Sequence, residues 1–545
     1  MFSILQTTRR KNFLLQFVGL LLLVATNPAL ATDLEFIDKF QGSAATPYDQ
    51  FGSFVGLDHD SFIVGAPQGF ITSEDEDYGC GFAYIFENVA GEWQQEALLY
   101  PHDYKVPGKS FGWGVDIDGE YAVVGDPHDS TDYDAAGAIY LFYKSQGGWI
   151  ETQKLMASDA EPDREFGRAV SLAENLLVVG ASYPSFQGKA YVFERTASIY
   201  NETQILTASD ADGWTDQFAT SVVASENWIF IGAPNAENGS DPNGAVYAFA
   251  RDESGWDEYQ KIVSSDGIYG GFGVDVDFDG ESLIIGDTNA LNSLGQDVGG
   301  GWVFTLVEGA WIEQQKLIPT ELTYYDSGGY SVGIENGIAV ISHPYDPEEP
   351  YGSVFVFAFS SGQWSEQSQL WYDSSIDDAF GKAVAINDGR ILIGAPRNYT
   401  IPRYGSAYLY EVKGAKSIDC IGFDAPLDDY PVTIKGRRPA LPLRATLEFE
   451  DETLVTDIDI TKPPVAQVYF DSAEDDQAMD ITSDLVRSIT PDEGNEFLFT
   501  PGGVWQYILG LDDYSASGTY TVTMESGDTD DYDFNQECMT QFIVP

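Results

Sequence analysis

Residues 51–67 read FGSFVGLDHDSFIVGAP: a Phe51-Gly52 opening, a short apolar run, a polar turn, a second apolar run and a Gly65-Ala66-Pro67 stop. Phe51 and Gly65 are fourteen positions apart. The same interval runs from Phe111 to Gly125, Phe166 to Gly180, Phe218 to Gly232, Phe272 to Gly286, Gly328 to Ser342 and Phe380 to Gly394. The sixth copy is degenerate, with Gly328 and Ser342 in place of Phe and Gly. Seven copies at a period of 52 to 60 residues point to a closed repeat array rather than to one hydrophobic core.

Each copy divides into four short apolar runs separated by turn residues. In the second, Phe111–Ile117 and Tyr121–Gly125 flank an Asp118-Gly119 hairpin, Gly137–Tyr143 is the third run and Trp149–Leu155 the fourth. Four antiparallel strands repeated seven times predict an all-β, seven-bladed propeller. The third run recurs as Gly81–Phe86, Gly188–Phe193, Gly244–Phe249, Gly299–Phe304, Gly352–Phe357 and Gly405–Tyr410. Its two aromatics lie two positions apart and so share one face of a strand, which makes them a packing layer. In the fourth run an aromatic precedes an aliphatic by six positions: Trp93 to Leu99, Trp149 to Leu155, Tyr200 to Leu206, Trp256 to Ile262, Trp311 to Leu317 and Trp364 to Leu370. The seventh copy lacks this run. Residues 34–40, LEFIDKF, carry a comparable pattern and are expected to supply the missing outer strand, closing the ring.

The Phe-Gly opening and Gly-Ala-Pro stop resemble the FG-GAP repeats of the integrin α-subunit propeller. The Gly-x-x-Tyr-x-Phe strand and the Gln-Lys-Leu followed by Ser-Asp are similar to the subtype of secreted bacterial proteins. The resemblance covers roughly 34–412. It implies a ligand face formed by the loops after the second strands and between blades. On that face lie Lys105 and Lys109, Asp129, Tyr133, Tyr183, Tyr345, Tyr399 and Arg403. Tyr mixed with Asp and Gly suits contact with a protein or a sugar. Integrin-type repeats often carry a calcium loop between their first two strands, and here that connection is too short. Asp116 with Asp118, and Asp275, Asp277 and Asp279, read as strands entering Asp-Gly turns. The better metal candidate is Asp210, Asp212 and Asp216, between blades three and four. No cofactor is required by any motif, and calcium is the one ion left open.

The chain has 545 residues and a formal charge of −60, with 27 Lys plus Arg. Such a surface repels nucleic acid and anionic membranes at long range. Residues 1–31 read as a signal peptide: Arg9-Arg10-Lys11, an apolar Phe13–Ala25, then Ala29-Leu30-Ala31 before the cut. The mature chain is expected outside the cytoplasm, secreted or at the cell surface, with the periplasm as an alternative and no membrane span. Residues 32–412 are assigned to the propeller and 413–419 to a linker. Residues 420–545 show short alternating runs such as Val504–Leu509 and Gly518–Thr523, which predict a β-sandwich resembling bacterial immunoglobulin-like modules. Cys420 and Cys538 flank that segment and export allows them to bridge, leaving Cys80 alone.

The four histidines are isolated, and no HExxH, Ser-His-Asp or phosphate-loop signature is present. The first expectation is therefore a non-catalytic protein of recognition or adhesion that binds an extracellular protein or glycan. The alternatives are a carbohydrate-active lyase or hydrolase on the same scaffold and a purely structural surface component. Oligomeric state is left open.

Overall fold

The computed structural model describes residues 33–413 except 73–76, 105–108, 185, 211–215, 239–240, 253, 267–269, 323–326, 346–351, 361, 372–378 and 397–403, and beyond 413 the backbone of the strands named below. Seven four-stranded antiparallel sheets form the blades of a propeller. Blade one runs outward through Phe54–Asp58, Ser61–Ala66, Phe82–Val89 and Glu92–Leu99. Blades two to six repeat this order. In blade seven, Ala383–Asn387, Arg390–Ala395 and Ser406–Lys413 are completed by Asp33–Phe40 at the outer edge. The expected closure by the N-terminal strand is thus observed. That strand also copies a detail of the other outer strands. In blade one an extra outer-strand residue interrupts the register between Ile85 and Phe86, and in blade seven the register shifts between Phe36 and Asp38, opposite Tyr410 and Leu409. Such a bulge sharpens the local twist.

The repeat motif holds neighbouring blades together. Each opening Phe packs edge-to-face on the aromatic of its own third strand: Phe51 on Tyr84, Phe111 on Tyr140 and Phe166 on Tyr191, at 5.2–5.3 Å between ring centroids. The backbone around that Phe meets the preceding blade, as in the bridges of Gly81 with Phe111 and Gly137 with Phe166. The glycine of Gly-Ala-Pro faces the next copy's Phe-Gly. A Cβ on Gly125 would stand 1.9 Å from the Gly167 carbonyl oxygen, and one on Gly394 would stand 2.0 Å from that of Gly52. The motif therefore reads as an inter-blade contact, beyond the turning role its sequence suggests.

Side chains add a second set of links around the channel. Asp116 Oδ2 accepts from Leu172 N–H at 2.7 Å, Ser171 Oγ from Ala224 N–H at 3.0 Å, and Asp275 and Asp277 from Val332 and Ile334 N–H at 2.9 and 2.8 Å. Ser331 Oγ accepts from Val384 N–H at 3.1 Å, and Asn387 Oδ1 from His59 N–H at 2.8 Å. At the rim, Gln153, Gln204, Gln260 and Gln315 donate to the backbone carbonyl of the next blade's Tyr200, Trp256, Trp311 and Trp364 and accept from its N–H. The aspartates of the inner strands are therefore structural acceptors, as their sequence pattern predicts.

Beyond the propeller the strands pair into two five-stranded sheets. One orders Leu498–Thr500, Val504–Gly510, Ala440–Phe449, Lys416–Phe423 and Tyr532–Phe534. The other orders Val432–Thr433, Cys538–Val544, Gly518–Glu525, Val465–Asp471 and Met479–Asp480. Cys420 and Cys538 lie on strands of different sheets, and their side chains lie outside the described residues. Cys80 is buried and unbridged, and burial raises its thiol to about 12, so it is inert. Among the described residues no helix is long and apolar enough to cross a membrane.

Candidate functional site

The inner strands surround an axial channel. At the end formed by the first hairpin turns its cavity measures about 790 Å³ and is lined by Gly56, Asp116, Ser171, Asp277 and Ile334, among others. The opposite mouth, at the face of the second-to-third-strand and inter-blade loops, measures about 600 Å³.

The loop-face mouth is built from one repeat position. Gly52, Gly112, Gly167, Gly273, Gly329 and Gly381 all have φ between +82° and +96°, and Ala219 takes the same turn at +67°. This left-handed step swings the chain from the inter-blade loop into the inner strand. The next residue in every copy lines the mouth: Ser53, Trp113, Arg168, Thr220, Val274, Tyr330 and Lys382. A repeating frame thus presents a ring of seven residues that do not repeat. Blades one and four supply hydroxyls, two and six aromatics, and three and seven cations. Tyr345, Gln50 and Gln68 complete the rim.

The cations are held by rings. Arg168 lies 5.3 Å from the Trp113 centroid and pairs with Glu165, which also lies 3.6 Å from His128. Lys382 Nζ donates to the Tyr330 hydroxyl and stands 4.0 Å from the Tyr330 centroid and 5.3 Å from that of Tyr345. Tyr330 and Tyr345 meet edge-to-face at 5.7 Å. Burial raises the Tyr330 phenol above its usual range; Arg168 opposes that shift and Asp275 adds to it. The phenol stays protonated at neutral pH.

The residues expected at the loop face fall into three groups. Tyr345 is at the mouth and 51% exposed, Tyr133 is 51% exposed on its loop, and Tyr183 is half-buried beside Phe186. Lys105, Tyr399 and Arg403 lie outside the described residues. Lys109 and Asp129 are corrected: both are buried, and they pair with each other inside blade two. The Tyr140 hydroxyl donates to Asp129 at 2.9 Å, Lys154 Nζ reaches Asp129 at 2.9 Å and Asp103 at 2.8 Å, and Asp126 lies 3.7 Å from Lys109. Burial works against the Lys109 charge, but Asp126, Asp129 and Asp103 outweigh it and hold the ammonium above its usual range. Burial pushes Asp126 up to about 7. Pairing a lysine with an inter-blade carboxylate recurs around the propeller, so this cluster is packing, not a free surface.

Asp210, the first residue of the proposed metal loop, belongs to that recurrence. It accepts from the Tyr247 hydroxyl at 2.7 Å and from Lys261 Nζ at 2.6 Å, as Asp103 does from Tyr140 and Lys154. Asp216 is buried and Asp212 lies outside the described residues. A carboxylate saturated by an ammonium and a phenol does not fit a calcium ligand. The histidines are engaged apart from one another: His59 with Asp58, His102 with Glu151 and His128 with Ser110, while His343 is buried in its strand.

Arg168, Lys382, Trp113 and Tyr330 carried a signal that sequence reasoning passed over. Each follows Phe-Gly or its equivalent, the most regular point of the repeat, and they vary where the flanking pattern does not.

The chain carries FG-GAP repeats. The model of that family, described as FG-GAP repeat, matches residues 93–142, 149–193, 200–249 and 364–410. Each matched unit starts on one blade's outer strand and ends on the next blade's third strand, the offset with which Asp33–Phe40 completes blade seven. No curated protein matches the chain. Among solved structures, a candidate 6-phosphogluconolactonase of Bacteroides uniformis is similar at TM-score 0.39 and 13% identity, over 64% of this chain and 95% of that one. Trypanosoma rangeli sialidase is similar at TM-score 0.35 and 11% identity, over 94% and 93%. Likeness at this level carries no argument about activity.

Proposed function

We propose that the protein is an exported, non-catalytic recognition or adhesion protein that holds an extracellular protein or glycan at the loop-face mouth of its propeller. One observation carries the reading: seven blades of repeating frame converge seven non-repeating side chains on one concave mouth. Recognition sits characteristically on variable positions of a rigid scaffold. The two C-terminal sheets are read as the faces of an immunoglobulin-like sandwich that acts as spacer or second module, with Cys420 and Cys538 bridging between them. Residues 1–31 are read as the export signal. Calcium has no part in this reading.

The test is a glycan and protein array probed with the mature chain, with and without chelator, beside Tyr345→Ala and Trp113→Ala variants. Binding that survives chelation and falls in both variants supports the reading. Binding indifferent to both variants, or lost on chelation, overturns it. A carbohydrate-active enzyme is the second reading, favoured by the Tyr330 phenol set against the Lys382 ammonium inside a cavity. A phenol held protonated by burial is a donor and not a base at neutral pH, which supports binding over elimination chemistry. Turnover of any arrayed glycan would establish the second reading.

A further inference from the structure

One cation of the mouth has no ion-pair partner among the described residues. The chain has 87 acidic residues against 27 Lys plus Arg. Lysines near the loop ends are matched accordingly: Lys109 and Lys154 with Asp129, Lys261 with Asp210, Lys316 with Asp266. Lys382 differs. Its contacts are the Tyr330 hydroxyl and the rings of Tyr330 and Tyr345, and among the described residues no carboxylate lies within ion-pair distance. Arg168 is already balanced by Glu165. Among the described residues, one ammonium without an ion-paired carboxylate, fixed in place by two aromatic rings, therefore faces a cavity of about 600 Å³, where the Asp275 carboxylate is engaged by the Val332 N–H.

The neighbours of that charge favour a sugar over a peptide. Gln50, Ser53, Gln68 and Thr220 place neutral amides and hydroxyls around the rim, suited to a polyol. The half-exposed Tyr345 offers an aromatic face with a hydroxyl at its edge. A peptide docking by strand addition needs open backbone N–H groups. Those at Val332 and Val384 are already taken by Asp275 and Ser331 of the preceding blade.

We infer that the loop-face mouth binds a sugar carrying a single carboxylate, a hexuronic acid at a chain end, with the carboxylate on Lys382 and the ring against Tyr345. The inference rests on the recognition reading above. A chain end fits better than a polyuronate. One carboxylate meets the local field of Lys382, whereas a polymer lays many charges over a surface of formal charge −60.

The experiment is calorimetric titration of the mature chain with a glucuronate-terminated disaccharide and with its counterpart ending in glucose. The acidic sugar is expected to bind about tenfold tighter, in line with one charge-assisted bond, and to weaken with added salt. Lys382→Ala removes the preference, Lys382→Arg keeps most of it, and Tyr345→Ala weakens both sugars. Free glucuronate competes on the unaltered protein, so the outcome does not hang on a variant that fails to fold. Equal affinity for the two sugars overturns the inference and leaves the recognition reading standing. Binding of an acidic peptide array through Tyr345, with neither sugar bound, does the same. Failure of every sugar, peptide and protein probe to respond to changes at Lys382 and Tyr345 overturns both.

Discussion

Gly125 shows how much a single residue of the repeat carries. Its missing side chain lets the Gly167 carbonyl of the next blade approach to where a Cβ would stand 1.9 Å away. Gly125→Ala must therefore push two backbones apart, and we expect a loss of about 1–3 kcal/mol in chemical unfolding. An unchanged midpoint would refute the contact. Lys109 and Tyr133, both expected on the ligand face, should now behave oppositely. Lys109→Ala leaves buried Asp126 without its cation and Asp129 with Lys154 alone, and should cost about 3 kcal/mol, while exposed Tyr133→Ala should stay within about 0.5 kcal/mol. The sequence could not separate them, because a lysine in a loop looks the same whether or not three carboxylates of the folded chain surround it. Titration adds a further test. Burial in the channel wall pushes Asp116 and Asp277 up to about 7 and Asp275 up to about 6, from an ordinary 3.8. The folded protein then binds more protons than the unfolded chain between these values. The corresponding stability is fully present below the ordinary carboxylate pKa and is lost as pH rises through about 7. The melting temperature should climb as pH is lowered from about 7.5 to about 5, and Asp116→Asn with Asp277→Asn should flatten that climb. A wild-type profile that falls over the same range would contradict it.

Among the elements, the N-terminal strand has the largest consequence. Asp33–Phe40 pairs with Ser406–Lys413 across the whole propeller sequence, and Phe40 packs on Phe62 and Phe86 of blade one at 4.9 and 5.2 Å. Deleting residues 32–41 exposes the edge of blade seven and removes the Phe40 packing that helps join the first and last blades. A sharp drop in melting temperature is expected; an unaltered melt would show that the ring closes without it. This strand was legible because six outer strands share an aromatic-to-aliphatic spacing and the seventh copy lacks one. The links between outer strands were less legible. Gln153, Gln204, Gln260 and Gln315 look like surface residues of a polar edge, and only the adjacent blade supplies the N–H and C=O groups they bond.

On the scale of the molecule, seven sheets around an axis put residues more than three hundred positions apart on one rim. Chelation should leave the propeller's melting temperature unchanged, since Asp210 is satisfied by Lys261 and Tyr247; a fall of several degrees in chelator would reinstate a metal. Interval and composition alone dictated the blade count, the four strands per blade and the closing strand. Turn chemistry and alternation are local, and a period repeated seven times averages out local error. Which side chains meet at the loop-bearing end of the channel was decided only by tertiary structure. The loops after Gly-Ala-Pro drew attention because the resemblance implies a ligand face there. Curvature of the ring turns the residue after each Phe-Gly toward the axis, so that Arg168, Tyr330 and Lys382, regularly placed in the repeat but far apart in the chain, share one mouth.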